Sequence, residues 1–340
     1  MDVFQLKTRV CFGNGALDAL GTLSGRRFFI VTDPFFAKDG TAQRIGDLCK
    51  GEVEIFDGVQ PDPPLQVVAE GLARMQRFGA DTLIALGGGS AIDCAKGMVS
   101  IGDDRPFFVA VPTTSGTGSE VTAFAILTHG GVKHPLVDPA LRPDMAILDE
   151  RLLENLPKSL IADGGMDVIA HCAEAVVAKK ATSVTCSMAE TAFHTAMKTL
   201  IPSFEGDQKV RGELHLAATM AGIAFDHAGL GLCHALSHAL GGRFHLPHGR
   251  LNAILLPHVM AYNREVCSYA MLGSNPIFAV SRLARRLHMP RTLSDAGVKA
   301  GEVLDAMDEL CRTALADPCC ATNPRAPTVT DCKGILRACL

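Results

Sequence analysis

Seven of the twelve histidines lie between His215 and His258. Two of them, in Leu232-Cys233-His234-Ala235-Leu236-Ser237-His238, are spaced i and i+4, which puts both imidazoles on one face of a helix. His245 and His248 follow, just past Gly241-Gly242. Upstream, Gly164-Gly165-Met166-Asp167-Val168-Ile169-Ala170-His171 gives a carboxylate and an imidazole at the same spacing. Two such pairs can converge on one ion between helices. A lone buried histidine is more often a core residue than a ligand, but a carboxylate–imidazole pair together with a histidine cluster fits that bland reading poorly. No cysteine has ligand spacing here. The donor set is imidazole and carboxylate, which suits Fe(II) or Zn(II) rather than a structural thiolate site.

A second chemistry is legible nearer the N-terminus. The apolar run 82–86 leads directly into Gly87-Gly88-Gly89-Ser90-Ala91-Ile92-Asp93, and a helical pattern follows. A strand, then glycines, then a helix start makes an anion site, because unpaired amides point outward and the helix dipole favours phosphate. Glycine lets a pyrophosphate approach the backbone closely. The loop Val111-Pro112-Thr113-Thr114-Ser115-Gly116-Thr117-Gly118-Ser119-Glu120 also follows an apolar run, and its hydroxyls suit ribose and phosphate oxygens. Asp33 ends the first clear strand. A carboxylate there can accept ribose hydroxyls, which favours NAD over the 2′-phosphate of NADP. In the usual dinucleotide fingerprint the acid follows the glycine loop. Here it precedes it, so the expectation is a different dinucleotide fold, with a plain turn aspartate as the alternative.

The elements that must position these groups divide the chain in two. Residues 28–32, 53–56, 82–86, 107–111 and 145–148 read as short strands, with helical patterns at 65–78 and 91–101 between them. Continuously apolar strands alternating with helices predict a parallel sheet covered on both faces. From about Pro157 onward strand signals vanish, and long Ala/Leu/Met-rich segments predict helices over 159–182, 184–204, 212–227 and 229–241. The expected organisation is an α/β dinucleotide-binding domain over 1–157 and a helical metal-binding and catalytic domain over 158–340, the break falling where Pro157 and Ser159 supply a stop and a cap.

Composition narrows the function. Hydrophobic residues make up 48% of the 340, enough for two cores. With 32 basic against 36 acidic residues, the chain lacks the footprint of a nucleic-acid binder and any polybasic membrane patch. The segment MDVFQLKTRVCFGNG lacks the apolar core of a signal peptide, and no run approaches roughly 18 apolar residues, so neither a secretion signal nor a membrane span is expected. The twelve cysteines lack zinc-ribbon or redox spacing and read as reduced, mostly buried thiols, so a cytoplasmic protein is expected.

These motifs resemble those of the iron-containing (group III) alcohol dehydrogenases over almost the whole chain. The resemblance rests on Gly87-Gly88-Gly89-Ser90 with Asp93 and Lys96, on residues 112–122, on Pro143-Asp144-Met145-Ala146-Ile147-Leu148-Asp149 and on Gly165-Met166-Asp167. It continues through residues 229–235 to Pro247-His248-Gly249 and ends in Thr322-Asn323-Pro324-Arg325. Within that family the chain looks most similar to the propanol dehydrogenases of propanediol-utilisation microcompartments. The resemblance implies a metal held by Asp167, His171, His234 and His248, iron first and zinc as the alternative. It implies His238 in proton transfer, and NAD(H) contacts from Gly88, Gly89 and Ser90 to the pyrophosphate. Thr113, Thr114, Thr117, Thr122 and Lys133 match contacts around nicotinamide and ribose, and Asp33 matches the acidic ribose ligand. Asp62 stands where many relatives have Asn and is assigned no cofactor role.

The expected activity interconverts short aldehydes, such as propanal, and primary alcohols. A related polyol or diol dehydrogenase and a non-catalytic metal- and nucleotide-binding scaffold are the alternatives. Expected partners are the small substrate, a second copy of the chain and, by the resemblance, microcompartment shell proteins, with no nucleic acid and no membrane.

Overall fold

A computed structural model describes residues 3–23, 26–130 and 132–340. The chain divides into two compact units. One spans Gln5–Asn155; the other comprises Leu156–Leu340 with residues 3–4.

The first unit is built on six parallel strands: β1 (Arg9–Phe12), β2 (Arg27–Thr32), β3 (Glu52–Phe56), β4 (Thr82–Gly87), β5 (Phe107–Pro112) and, after a hairpin of β6 (Phe124–His129) and β7 (Val132–Val137), β8 (Met145–Leu148). Their order is β1-β8-β5-β4-β2-β3. Helices α1 (Pro34–Lys38), α2 (Thr41–Leu48), α3 (Leu65–Phe78) and α4 (Gly89–Ile101) belong to the same unit. Side chains alternate across the sheet, so each central strand feeds two cores. Phe29, Val31, Leu83, Ala85, Phe108 and Ala110 pack with Val68, Met75, Ile92 and Met98 of α3 and α4. Phe28, Ile30, Ile84, Leu86, Val109 and Val111 pack with Leu17, Leu20, Ala42 and Ile45. This two-sided burial is why the strands read as unbroken apolar runs.

The register matters for function. Thr32 pairs with Leu86, Leu86 with Val111 and Gly87 with Pro112, so β2, β4 and β5 end level with one another. From β2 the chain moves outward to β3, then returns to β4 on β2's other side and continues to β5. The point between β2 and β4 is therefore a topological switch, where open α/β sheets bind ligands beyond the carboxyl ends of their strands. Asp33 and the glycine loop stand on either side of it.

The five strands read from sequence are present, and both helices read between them. The sequence reading did not include β1 or the antiparallel hairpin of β6 (Phe124–His129) and β7 (Val132–Val137). β6 contains the apolar run Phe124–Leu127 but is buried only at alternate positions, and β7 carries Lys133, His134 and Pro135, which break its apolar run.

The second unit is helical: α5 (Lys158–Ala175), α6 (Ser183–Glu205), α7 (Arg211–Ala228), α8 (Leu232–Phe244), α9 (His248–Asn263), α10 (Pro276–Arg286), α11 (Ala300–Asp305), α12 (Met307–Ala316) and α13 (Val329–Ala338). α5 packs against α6, α7 and α9. Every residue of α5 from Gly165 to Ala175 is buried, as expected of a helix apolar on all sides. Asp167, His171 and Glu174 are therefore polar groups on a core helix, which demands partners for them. Gly249 presses the start of α9 onto α5: a Cβ there would overlap the Asp163 carbonyl. The Arg250 guanidinium bonds both Asp163 carboxylate oxygens, at 3.0 and 3.3 Å, and fixes the same approach. These contacts bring His248 beside Asp167.

All twelve cysteines are free thiols, nine of them buried. Among the described residues, no single helix is long and apolar enough to cross a membrane.

Candidate metal centre and nucleotide cradle

The helical unit gathers four of the expected residues around one oxygen. Asp167 Oδ1 lies 3.6 Å from His171 Nε2, 3.5 Å from His234 Nε2 and 3.6 Å from His248 Nε2. Asp167, His171 and His234 are almost wholly buried, while the His248 side chain is 29% exposed and leaves one open side. His171 stacks between Phe225 and His234, with centroids at 4.3 and 4.7 Å.

The electrostatics explain the protonation states. Burial alone would push the Asp167 carboxyl up, but the surrounding imidazoles outweigh it and hold it well below the usual carboxylate range. Burial, reinforced by the neighbouring imidazoles, holds His248 well below the ordinary histidine value despite Asp167. For His234 burial works downward, yet its bonds to Asp167 and Glu174 win and raise it to about 9. Three imidazoles crowded on one carboxylate cannot all be charged: His248 is held neutral while His234 keeps its proton, and a divalent ion would displace that proton on taking His234 as a ligand.

Two neighbours absent from the sequence-based site complete the arrangement. Glu174 Oε2 lies 2.6 Å from His234 Nδ1. With a carboxylate there, Nδ1 keeps its proton, and Nε2 is the nitrogen left to face the cluster and ligate an ion. Asn252 Nδ2 donates to Asp167 Oδ1 at 2.8 Å, and Ser237 Oγ donates to Asn252 Oδ1 at 2.5 Å. Both could have been found by spacing: Glu174 is one further turn along the Asp167/His171 face, and Asn252 is i+4 from His248. The donor set therefore fits a divalent metal: one carboxylate, three imidazoles, and carboxylate and amide groups holding two of them in place.

His238 takes a different position from its i, i+4 mate. Its ring stacks on His248 at 5.1 Å, and its Nδ1 lies 2.8 Å from Asp317 Oδ2. Asp317 is 79 residues away, so no local spacing announces it. Its other oxygen accepts from the Cys319 amide at 2.8 Å. His238, Asp317 and Cys319 also lie close enough to be considered a ligand group. However, burial drives the Cys319 thiol well above its ordinary pKa, so it stays protonated, and the carboxylate is already satisfied by its neighbours.

In the sheet unit the cradle is assembled at the strand ends. Gly88 caps α4, and Thr113 N donates to Gly87 O at 3.0 Å, joining the two loops. A Cβ on Gly88 would come within 3.2 Å of Thr114 Oγ1, and one on Gly89 within 3.0 Å of Thr117 Cγ2, so the loops leave room for backbone only. Ser90 lies in the first turn of α4. Asp33 Oδ1 caps α1, accepting from Phe35 N at 2.8 Å and Phe36 N at 3.3 Å. Its Oδ2 faces the glycine loop, 3.7 Å from where a Gly87 Cβ would stand.

Two expected residues are turned to other partners. Thr122 is buried, and its hydroxyl accepts from Lys96 Nζ at 3.1 Å. Lys133 Nζ bonds Asp62 Oδ1 at 2.7 Å, and Asp62 itself has a left-handed backbone, φ 52°. Lys96 is fully buried and also donates to Ser119 Oγ and the Phe124 carbonyl, at 2.9 and 2.6 Å. Asp93, one turn earlier on α4, accepts from Ser119 Oγ at 2.7 Å and Ile126 N at 3.0 Å. The glycine helix and the hydroxyl loop are thus tied by one buried charged network.

Comparison with known proteins settles the family. The sequence signature described as "Iron-containing alcohol dehydrogenase" matches residues 7–150, and that of the family's C-terminal region matches residues 161–340. The chain belongs to the iron-containing alcohol dehydrogenase family. It is 37% identical to the 1-propanol dehydrogenase PduQ of Citrobacter freundii, over 96% of both chains. It is 34% identical to an NADPH-dependent butanol dehydrogenase of Clostridium saccharobutylicum, over 95% of this chain and 94% of that one. The solved iron-containing alcohol dehydrogenase of Thermococcus thioreducens superposes with a TM-score of 0.92 at 33% identity, covering 99% of each chain. The protein is a metal-dependent oxidoreductase acting on alcohols, with the parallel-sheet and helical architecture of its relatives.

Proposed function

We propose that this alcohol dehydrogenase interconverts short aliphatic aldehydes, propanal in particular, and primary alcohols with NAD(H), using one divalent metal, iron in preference to zinc. The observation that carries the metal assignment is the convergence of three Nε2 atoms on Asp167 Oδ1, each about 3.5 Å away. Asp167, His171, His234 and His248 are the proposed ligands. When bound, such an ion polarises the substrate oxygen and the nicotinamide carries the hydride.

The remaining chemistry falls to the chain. Glu174 keeps the His234 proton on Nδ1, and Asn252 fixes the Asp167 carboxylate. The partly exposed edge of His248 marks the side open to substrate. His238, held at Nδ1 by Asp317, offers Nε2 to relay the alcohol proton. In the sheet unit, the α4 amides at Gly89 and Ser90, with the Gly88 backbone, receive the pyrophosphate. Thr113, Thr114 and Thr117 line the same loops, Thr122 anchors their far end through Lys96, and Lys133 acts from the hairpin. Asp33 Oδ2 accepts the adenosine ribose hydroxyls, which supports NAD although one butanol dehydrogenase relative uses NADPH.

The propanal assignment draws its support from the similarity to the 1-propanol dehydrogenase. A panel of propanal, butanal, a hydroxyaldehyde and dihydroxyacetone, assayed by NADH oxidation with metal-loaded protein, tests it. Propanal should give the highest kcat/KM, and His238→Ala should retain metal while its kcat falls by about 10²–10⁴-fold. Preference for the hydroxylated substrates would make the protein a polyol dehydrogenase. An unchanged kcat in His238→Ala would remove the proton-relay role.

A further inference from the structure

Glu174 meets three backbone amides and one imidazole. It is 2% exposed and lies on α5, on the face that carries Asp167 and His171. Its Oε2 accepts from Gly231 N at 2.9 Å and from His234 N at 3.4 Å, and its Oε1 accepts from Cys233 N at 2.6 Å. The same Oε2 lies 2.6 Å from His234 Nδ1. The remaining amide at this helix start, Leu232 N, donates to Asn323 Oδ1 at 3.1 Å. Asn323 is fully buried and interlocked with Asn263 through two bonds of 3.0 and 2.8 Å.

Two side chains therefore cap α8, but only one of them touches a metal-facing imidazole. We infer that Glu174 is a positioning residue for metal binding: it couples the start of α8 to the tautomer and aim of His234, so metal affinity depends on it beyond its value as a helix cap. This inference rests on the proposed metal site. A capping carboxylate satisfies orphan amides and interacts with the helix dipole wherever it points. Glu174 does more, because its bond holds Nδ1 and turns Nε2 toward the cluster, 3.5 Å from Asp167 Oδ1. Ring rotation would break that bond, which at 2.6 Å is shorter than either amide bond to the same oxygen, so the imidazole is held in the ligating orientation. One core helix thus supplies two ligands and aims a third that stands on another helix.

Asn323 provides the control. Asn323→Ala removes a cap bond from the same helix and leaves His234 untouched. Metal-free parent, Glu174→Gln, Asn323→Ala and Asp167→Ala proteins are titrated with Co²⁺ against a competing chelator, and each metal-free form is melted in parallel. Glu174→Gln should bind Co²⁺ about 10–100-fold more weakly than the parent, the range for a lost partner behind a ligating histidine. Asn323→Ala should lower the melting temperature yet keep Co²⁺ affinity within about twofold, as expected for a site not coupled to the ligands. Parent-like affinity in Glu174→Gln, or an equal loss in Asn323→Ala, overturns the inference by reducing Glu174 to a cap. Should Glu174→Gln fail to fold, Glu174→Asp decides: weakened Co²⁺ binding by a folded protein supports the inference, and unchanged binding overturns it. Undiminished Co²⁺ binding in Asp167→Ala would instead remove the metal site itself.

Discussion

At the scale of single residues, spacing carried far because the metal-facing groups occur as helical repeats. Asp167 and His171 share a face of α5, and the three imidazoles that meet at Asp167 are among those the sequence marks. Spacing was silent on Asp317, whose bond to His238 bridges 79 residues. It also left Asp33 between two readings: Oδ1 works as a turn cap, while Oδ2 faces the glycine loop, the position that the proposed ribose contact requires. That division makes a prediction. Asp33→Gly should lose little stability, since glycine replaces a capping residue at a cost of a few tenths of a kcal/mol. It should lose its bias against NADPH, because juxtaposed like charges cost several kcal/mol. The ratio of kcat/KM for NADH over NADPH, measured on parent and variant, should fall by about tenfold or more. A parent that prefers NADPH, or a ratio that does not move, would show that Asp33 faces no ribose.

At the scale of elements, the legible part of the fold was the part buried on both sides. Strands β2, β4 and β5 announce themselves as apolar runs because each feeds two cores, and β8 because all four of its residues are buried. β1 and the β6–β7 hairpin did not: their burial is partial, and β1 and β7 carry Arg9 and Lys133 among their apolar residues. The hairpin nevertheless matters to the cradle: the Ile126 amide and the Phe124 carbonyl complete the Asp93–Lys96 network. Burial pushes the Asp93 carboxyl up, and the Lys96 ammonium opposes that push. Removing one member of such a buried pair leaves the other uncompensated, at about 3–5 kcal/mol. Lys96→Met should therefore destabilise the protein by about that amount in denaturant unfolding, and should weaken NADH binding by loosening the 113–124 loop from α4. A loss under about 1 kcal/mol would mean that the network is not coupled to the fold of this unit, since exposed pairs contribute only that much.

At the scale of the whole molecule, the two units divide the chemistry. The sheet unit places a carboxylate and a glycine-rich helix start on either side of a topological switch point, and the helical unit surrounds one aspartate with three imidazoles. The order of these features along the chain was readable, because strand-rich and helix-rich halves differ in periodicity. The precision of the metal cluster was not, because it depends on how α5, α8 and α9 pack: Gly249 lying flat against the Asp163 carbonyl, Arg250 clamping Asp163, and Glu174 reaching the start of α8. Membership of the iron-containing alcohol dehydrogenases makes metal dependence the central property. Metal content per chain tests it most directly, measured after reconstitution with Fe²⁺ or Zn²⁺ for the parent, His234→Ala and His248→Ala, with propanal-dependent NADH oxidation followed on the same samples. The parent should hold one metal per chain and turn over, while both variants lose the metal and the activity together. Full stoichiometric metal in both variants would contradict the assignment of Asp167, His171, His234 and His248 as the metal site.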